Sequence, residues 1–293
     1  MQFGISLPGF GAFGDVRYLV QTAVAAEAAG WDGFFLWDHI IFDPTFHPMV
    51  DPWIALAAIA LHTKRMRIGA LVTPVARRRP WKLARETVDI DLLSDGRLIF
   101  GAGLGEPAKW DFGFFGEEED DKVRAEKLDE GLEILSGLWS GELFSYTGKH
   151  YQLAPMRFEP KPLQQPRIPI WIGGNWDKRK PKLRAARYDG YFPLKWLSMV
   201  TLDEWQEIKT TLDRYRQQFQ RSDKPFALIQ GGQTPGDNPV AAAEIARPYA
   251  DFGIDWWIES VDPWRWGASG EEAFSAESVH LMEERIHQGP PQL

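Results

Sequence analysis

The chain contains no cysteine. Disulfides, thiolate nucleophiles, Cys-ligated zinc and iron–sulfur clusters are therefore excluded. A long apolar run is missing too. The most apolar stretch, Trp53 to Leu61, is far too short to span a bilayer. The opening residues MQFGISLPGFG lack a basic segment followed by an apolar one, so no signal peptide is expected and a cytoplasmic location is the default. Positive charge is in deficit: 33 Lys and Arg stand against 41 Asp and Glu, for a net charge of −8. That balance argues against a general nucleic-acid binder. No Gly-x-Ser-x-Gly nucleophile elbow occurs.

What is present is a regular alternation of strand and helix signals. A chain of 293 residues suits two domains or one barrel, since barrels of about 250 residues are ordinary single domains. Strands are predicted at Phe3–Leu7, Gly33–Trp37, Ile68–Val72, Leu98–Ala102, Ile168–Ile172, Gly190–Phe192, Phe226–Gln230 and Asp255–Glu259. Helix starts fall between them. Asp15 is an N-cap candidate, Pro80 suits a first helical position, Thr201 to Glu204 reads as a capping box, and Asn238-Pro239 combines both signals. Eight such units favour a closed α/β barrel, a (β/α)₈ TIM barrel spanning residues 1–293 as one domain. The rhythm breaks over 139–167, where a hairpin near Phe144–Tyr151 precedes a proline-rich stretch. Irregular segments of this length, there and at 103–120, are expected to shape a substrate pocket at the C-terminal mouth.

The segment IGALVTPVARRRPWKLARETVDIDLLSDGRLIFGAGLGE, residues 68–106, closely resembles the bacterial-luciferase-like oxidoreductases. FGISLP at the start, GWDGFFLWDH at the second strand and PRIPIWIGGN at the fifth extend the likeness. The resemblance implies a flavin- or deazaflavin-dependent enzyme on a (β/α)₈ barrel. It also implies a non-proline cis peptide in a bulge backing the ring, aligned with Ala70–Leu71, and a ring contact from Thr73. In the branch that uses coenzyme F420, an Asp-His pair in the place of Asp38-His39 supplies the acid/base, with Asp38 near the ring. Glu106 matches a glutamate near the ring in the sugar-phosphate dehydrogenases of that branch. Those enzymes carry an asparagine three residues later, where this chain has Lys109.

The residues themselves agree in part. His39 follows a barrel strand, where an imidazole can face the mouth and exchange protons near neutral pH. Gly101 to Glu106 is a poor dinucleotide fingerprint, because Pro107 and an aromatic run follow instead of a helix. Its plainer use is close backbone approach to a ligand, with Gly103 at the strand end. Gly173, Gly174 and Asn175 follow the fifth strand and precede Lys178 to Lys180. Glycine amides there suit a cofactor phosphate or tail, or form an ordinary turn. Arg77 to Arg79 read either as a solvated loop or as a contact to an anionic cofactor tail or substrate. The barrel's first strand end, Leu7-Pro8-Gly9-Phe10, has no His-x-His. His39, Asp43, His47 and Asp51 follow no ligand spacing, so no metal is expected.

The reading is a flavin-type oxidoreductase, with F420 passing hydride to or from a small organic substrate and His39 handling the proton. The alternative on the same fold is an FMN-dependent monooxygenase that takes reduced flavin from a separate reductase and uses O₂. Two readings of another class remain: a non-catalytic flavin-binding barrel, and a lyase or hydrolase using His39 and Glu106. By analogy with the family, a homodimer is expected.

Overall fold

A computed structural model describes residues 1–196, 198–267 and 273–293. Its strands are β1 (Gln2–Leu7), β2 (Gly33–Leu36), β3 (Arg67–Pro74), β4 (Leu98–Gly103), β5 (Phe144–Thr147), β6 (Gln152–Met156), β7 (Ile170–Asn175), β8 (Gly190–Leu194), β9 (Ala227–Gly232) and β10 (Trp256–Ser260). Eight of them close into a parallel barrel in the order β1-β2-β3-β4-β7-β8-β9-β10, with β10 pairing back to β1. The antiparallel hairpin β5–β6 stands apart from the barrel. It occupies the stretch where no helix was predicted.

The helices are α1 (Val16–Ala28), α2 (Pro52–His62), α3 (Pro80–Leu93), α4 (Ala108–Asp111), α5 (Asp121–Trp139), α6 (Arg179–Ala185), α7 (Leu202–Gln218), α8 (Pro239–Phe252) and α9 (Ala276–His287). The cap signals act as the sequence implies. Asp15 accepts from Tyr18 N, Thr201 and Glu204 form a reciprocal capping box, Asn238 accepts from Ala241 N, and Pro80 opens α3. Each satisfies or avoids an orphan amide of the first helical turn. Among the described residues, no helix is long and apolar enough to cross a membrane.

Two cores result from the alternation of side chains along each strand. Ile68 and Ala70 of β3 face outward into the layer between barrel and helices, with Leu98 and Phe100 of β4. The inner core is Phe35, Leu71, Ile99, Trp171, Phe192, Ile229, Trp256 and Ile258. Such large rings fit only because neighbouring strand positions are glycine. A Cβ on Gly33 would lie 2.7 Å from the Phe35 ring, and one on Gly190 would lie 2.5 Å from Trp171. The barrel centre is thus packed solid, and any ligand must sit above it, at the carboxyl ends of the strands.

Candidate active site

β2 delivers Trp37, Asp38 and His39 to the mouth in succession. Asp38 is only 1% exposed, and both its oxygens are taken. Trp53 donates its indole N–H to Oδ2 at 2.9 Å, Arg77 donates to Oδ1 at 2.6 Å, and Arg78 reaches both oxygens at 2.8 and 3.0 Å. Arg77 also pairs with Asp111 at 2.7 Å. Two buried carboxylates are therefore matched by two guanidinium groups, which offsets the large cost of burying any one of them alone.

This overturns the solvated reading for two of the three arginines. The side chains of Arg77 and Arg78 are 2% and 17% exposed and are engaged by Asp38 and Asp111, so their charge is already matched within the protein. A charge run is usually solvated, but here a buried aspartate required partners. Of the three, Arg79 is exposed.

His39 is the half-buried member of the group. Its Nδ1 lies 3.0 Å from Asp111 Oδ2, while Asp111 Oδ1 accepts the amides of Ile40 and Ile41 at 2.8 and 3.1 Å. Burial pushes the Asp111 carboxyl up. The His39 hydrogen bond, the Arg77 charge and the Ile40 amide outweigh that and hold it below the ordinary carboxylate range. An ionised Asp111 accepts only, so His39 Nδ1 is the donor of this pair. Rings surround the imidazole: Phe42 packs edge-on at 5.1 Å and Trp37 at 6.3 Å, and Trp37 stacks on Trp264 at 6.0 Å with a 3° interplanar angle.

At the end of β3 the ladder to β4 slips between Ala70 and Thr73. The non-proline cis bond lies at Leu71–Val72, one residue beyond the aligned Ala70–Leu71. The slip accounts for this placement, since Ala70 still pairs in register with Phe100 and only Leu71 and Val72 fall within the irregularity. Ala70 is buried against the helix layer, and Leu71 fills the inner core; neither side chain is placed to hold a ligand. Val72 is the residue the bulge exposes. It fits because Gly103 and Gly173 flank it: a Cβ on either would lie 2.3 or 2.5 Å from its methyl groups. Those glycines thus serve Val72 first. Thr73 is fully buried, and its hydroxyl has no hydrogen-bond partner among the described residues. Buried hydroxyls are rarely left so, and a ligand acceptor or donor there would satisfy it.

None of the remaining candidates hydrogen-bonds His39 among the described residues. The Glu106 side chain is 67% exposed; Arg124 reaches it at 3.3 Å, and it accepts from Ala108 N at 3.2 Å. Asn175 is exposed at the end of β7 and Gly174 half-buried beside it. Asp111 was missed by sequence reasoning.

The luciferase-like monooxygenase family model matches residues 1–285. The chain belongs to this family, one of oxidoreductases. It is 35% identical over 279 residues to an F420-dependent glucose-6-phosphate dehydrogenase of Amycolatopsis mediterranei, covering 84% of this chain and 82% of that one. Among solved structures, the monooxygenase RslO1 of Streptomyces bottropensis superposes with a TM-score of 0.70 at 19% identity, covering 97% of this chain and 98% of that one. The F420-dependent tetrahydromethanopterin reductase of Methanopyrus kandleri superposes with a TM-score of 0.69 at 15% identity, covering 98% and 96%. At such identities the two structures bear on the fold alone, and that fold is the luciferase-like TIM barrel.

Proposed function

We propose that the chain is an F420-dependent oxidoreductase in which His39 is the acid/base for a small organic substrate. The observation that carries this reading is the His39–Asp111 pair, at 3.0 Å, set at the barrel mouth beside the β3 bulge. Bound above the barrel, the deazaflavin supplies a hydride acceptor or donor. The protein's part is placement and proton handling. Val72 at the bulge would back the ring, and the unpartnered Thr73 hydroxyl would be available to a polar atom of it. Asp111 fixes the imidazole by its Nδ1–H, and Nε2 takes the proton of a substrate hydroxyl or returns it to a carbonyl oxygen. Glu106 has no role in this scheme, being exposed and held by Arg124.

The choice of F420 over FMN is supported by the named activity of the Amycolatopsis relative, and not by the arginine triplet, two of whose members are committed internally. For the carboxylates of an F420 tail, the exposed Lys178 and Lys180 after β7 offer charge, beside the Gly173–Gly174 backbone. Titration of the purified chain with each cofactor at low and high salt tests the reading. F420 should bind more tightly than FMN, and its margin should shrink with salt as these exposed contacts are screened. Micromolar FMN binding with no F420 binding would make the monooxygenase reading the better one, with a flavin reductase as its partner.

A further inference from the structure

The cations at the mouth are unevenly distributed: Lys178 and Lys180 after β7 are exposed, whereas those on the His39 side are few and engaged. The loops that follow β1, β2, β9 and β10 contain one Lys or Arg, Arg265. Arg265 donates to Glu259 at 2.6 Å, to the Ser260 carbonyl at 3.0 Å and to the Thr234 carbonyl, and its side chain is 9% exposed. Glu259 is itself fully buried and accepts from Trp257, Thr234 and Arg285 as well. After β3, Arg77 and Arg78 are held by Asp38 and Asp111. After β8, Lys195 grips Glu204 at 2.7 and 2.9 Å. Lys109, after β4, is exposed with its ammonium 4.1 Å from the centroid of the Trp110 ring.

The side of the mouth nearest His39 instead carries rings. Trp37, Phe42, Phe46, Trp264 and Phe274, all half-buried, form one connected cluster packed on the buried Phe10, with Phe42–Trp264 at 5.6 Å and Phe46–Trp264 at 5.8 Å. Carboxylates there are matched too: Asp262 accepts from Ser260 and Arg265 N, and Asp43 from Thr45. A phosphate dianion binds through several charge-assisted donors, and a cationic substrate needs a free carboxylate. Among the described residues, neither is provided beside His39. A flat or cyclic carbon skeleton, by contrast, gains contact area and offset stacking on such rings.

We infer that the substrate handled at His39 is an uncharged, largely apolar cyclic or aryl alcohol or ketone, and not a sugar phosphate. This rests on the proposed function only in taking His39 as the acid/base. It differs from the substrate named for the Amycolatopsis relative, and Trp264, stacked on Trp37, is its specificity-determining residue.

Isothermal titration of the cofactor-free chain with 1-phenylethanol, cyclohexanol and glucose 6-phosphate tests the inference without any turnover. Binding is expected for the uncharged alcohols and not for the phosphate. Trp264→Ala should weaken binding of 1-phenylethanol about tenfold, and Trp264→Phe, which keeps a ring, should restore most of it. Circular dichroism checks that both variants fold. Binding of glucose 6-phosphate that Lys109→Ala abolishes, binding of none of the alcohols, or equal affinity in all three chains would overturn it. The cofactor titration is a separate measurement. Loss of F420 binding would sink the proposed function while the alcohol result stands, and tight F420 binding with sugar phosphate as the bound substrate would sink this inference alone.

Discussion

At the scale of single residues, the site depends on one carboxylate that the sequence conceals. Asp38-His39 is legible because it directly follows a strand. Asp111 is not, because it lies 72 residues from His39 inside an aromatic run that reads as a loop. The signal that could have found it is an acid among Trp110, Phe112, Phe114 and Phe115, where only a strong partner would justify its burial. Likewise the arginine triplet was misread because nothing local shows that Asp38 is buried. If Asp111 sets the tautomer of His39, its removal should act through the imidazole. His39→Ala should lower kcat by about 10²–10⁴-fold. Asp111→Asn should approach that loss, since an amide can donate to Nδ1 and favour the wrong tautomer, and Asp111→Glu should recover part of it. F420 affinity should change far less in all three variants. A purely structural Asp111 would lower Tm in the Asn variant and leave the pH profile of kcat unmoved, which is the result that would remove it from the mechanism.

At the scale of elements, strand and helix positions were readable because period, caps and turn residues agree with one another. The bulge at the end of β3 was expected only from the family resemblance, and one residue early for the cis bond, because a register slip leaves no mark on composition. Its consequence is visible in the neighbouring strands. Gly103 of β4 and Gly173 of β7 look like ligand-facing glycines in the sequence, yet each makes room for Val72, at 2.3 and 2.5 Å from where a Cβ would stand. A methyl at either position must push Val72 out of its seat between them. Gly103→Ala should therefore destabilise the chain by about 1–3 kcal/mol, the usual range for overpacking, and weaken cofactor binding as well. Val72→Ala should restore stability to the Gly103→Ala chain through a coupling energy that denaturant unfolding measures in a double-mutant cycle. Additive effects of the two substitutions would show that the glycine is there for the ligand and not for Val72.

At the scale of the whole molecule, the same matched charges set how stability depends on pH. Burial pushes Glu27 up, but the amides of Met66, Arg65 and Lys64 and the charge of Arg65 hold it below its ordinary value. Asp111 is held low by His39 and Arg77 against its own burial, and Glu126 is brought down to about 2 by hydrogen bonds from Lys149 and His150. In the unfolded chain these groups return to about pH 4. Between that value and their lower folded values the unfolded chain binds more protons, so stability rises with pH there. Their contribution is complete above about pH 5 and is lost as the pH falls through the folded values. The buried tyrosines act at the other end. Burial, then the charge of Glu130, raises Tyr151 to about 12, and burial raises Tyr188 and Tyr191 as well. Their contribution is present below the ordinary tyrosine value of about 10 and is lost as the pH climbs through the raised ones. The urea midpoint should therefore hold level from near neutrality down to about pH 5, then fall steeply, and should fall again above about pH 10. Glu27→Gln, which removes the anionic acceptor that gathers three successive amides ahead of β3, should lower the midpoint at neutral pH and flatten the acid limb. A midpoint in the wild-type chain that stays constant through the carboxylate range would mean that these pairs are already protonated or already broken when the molecule is folded.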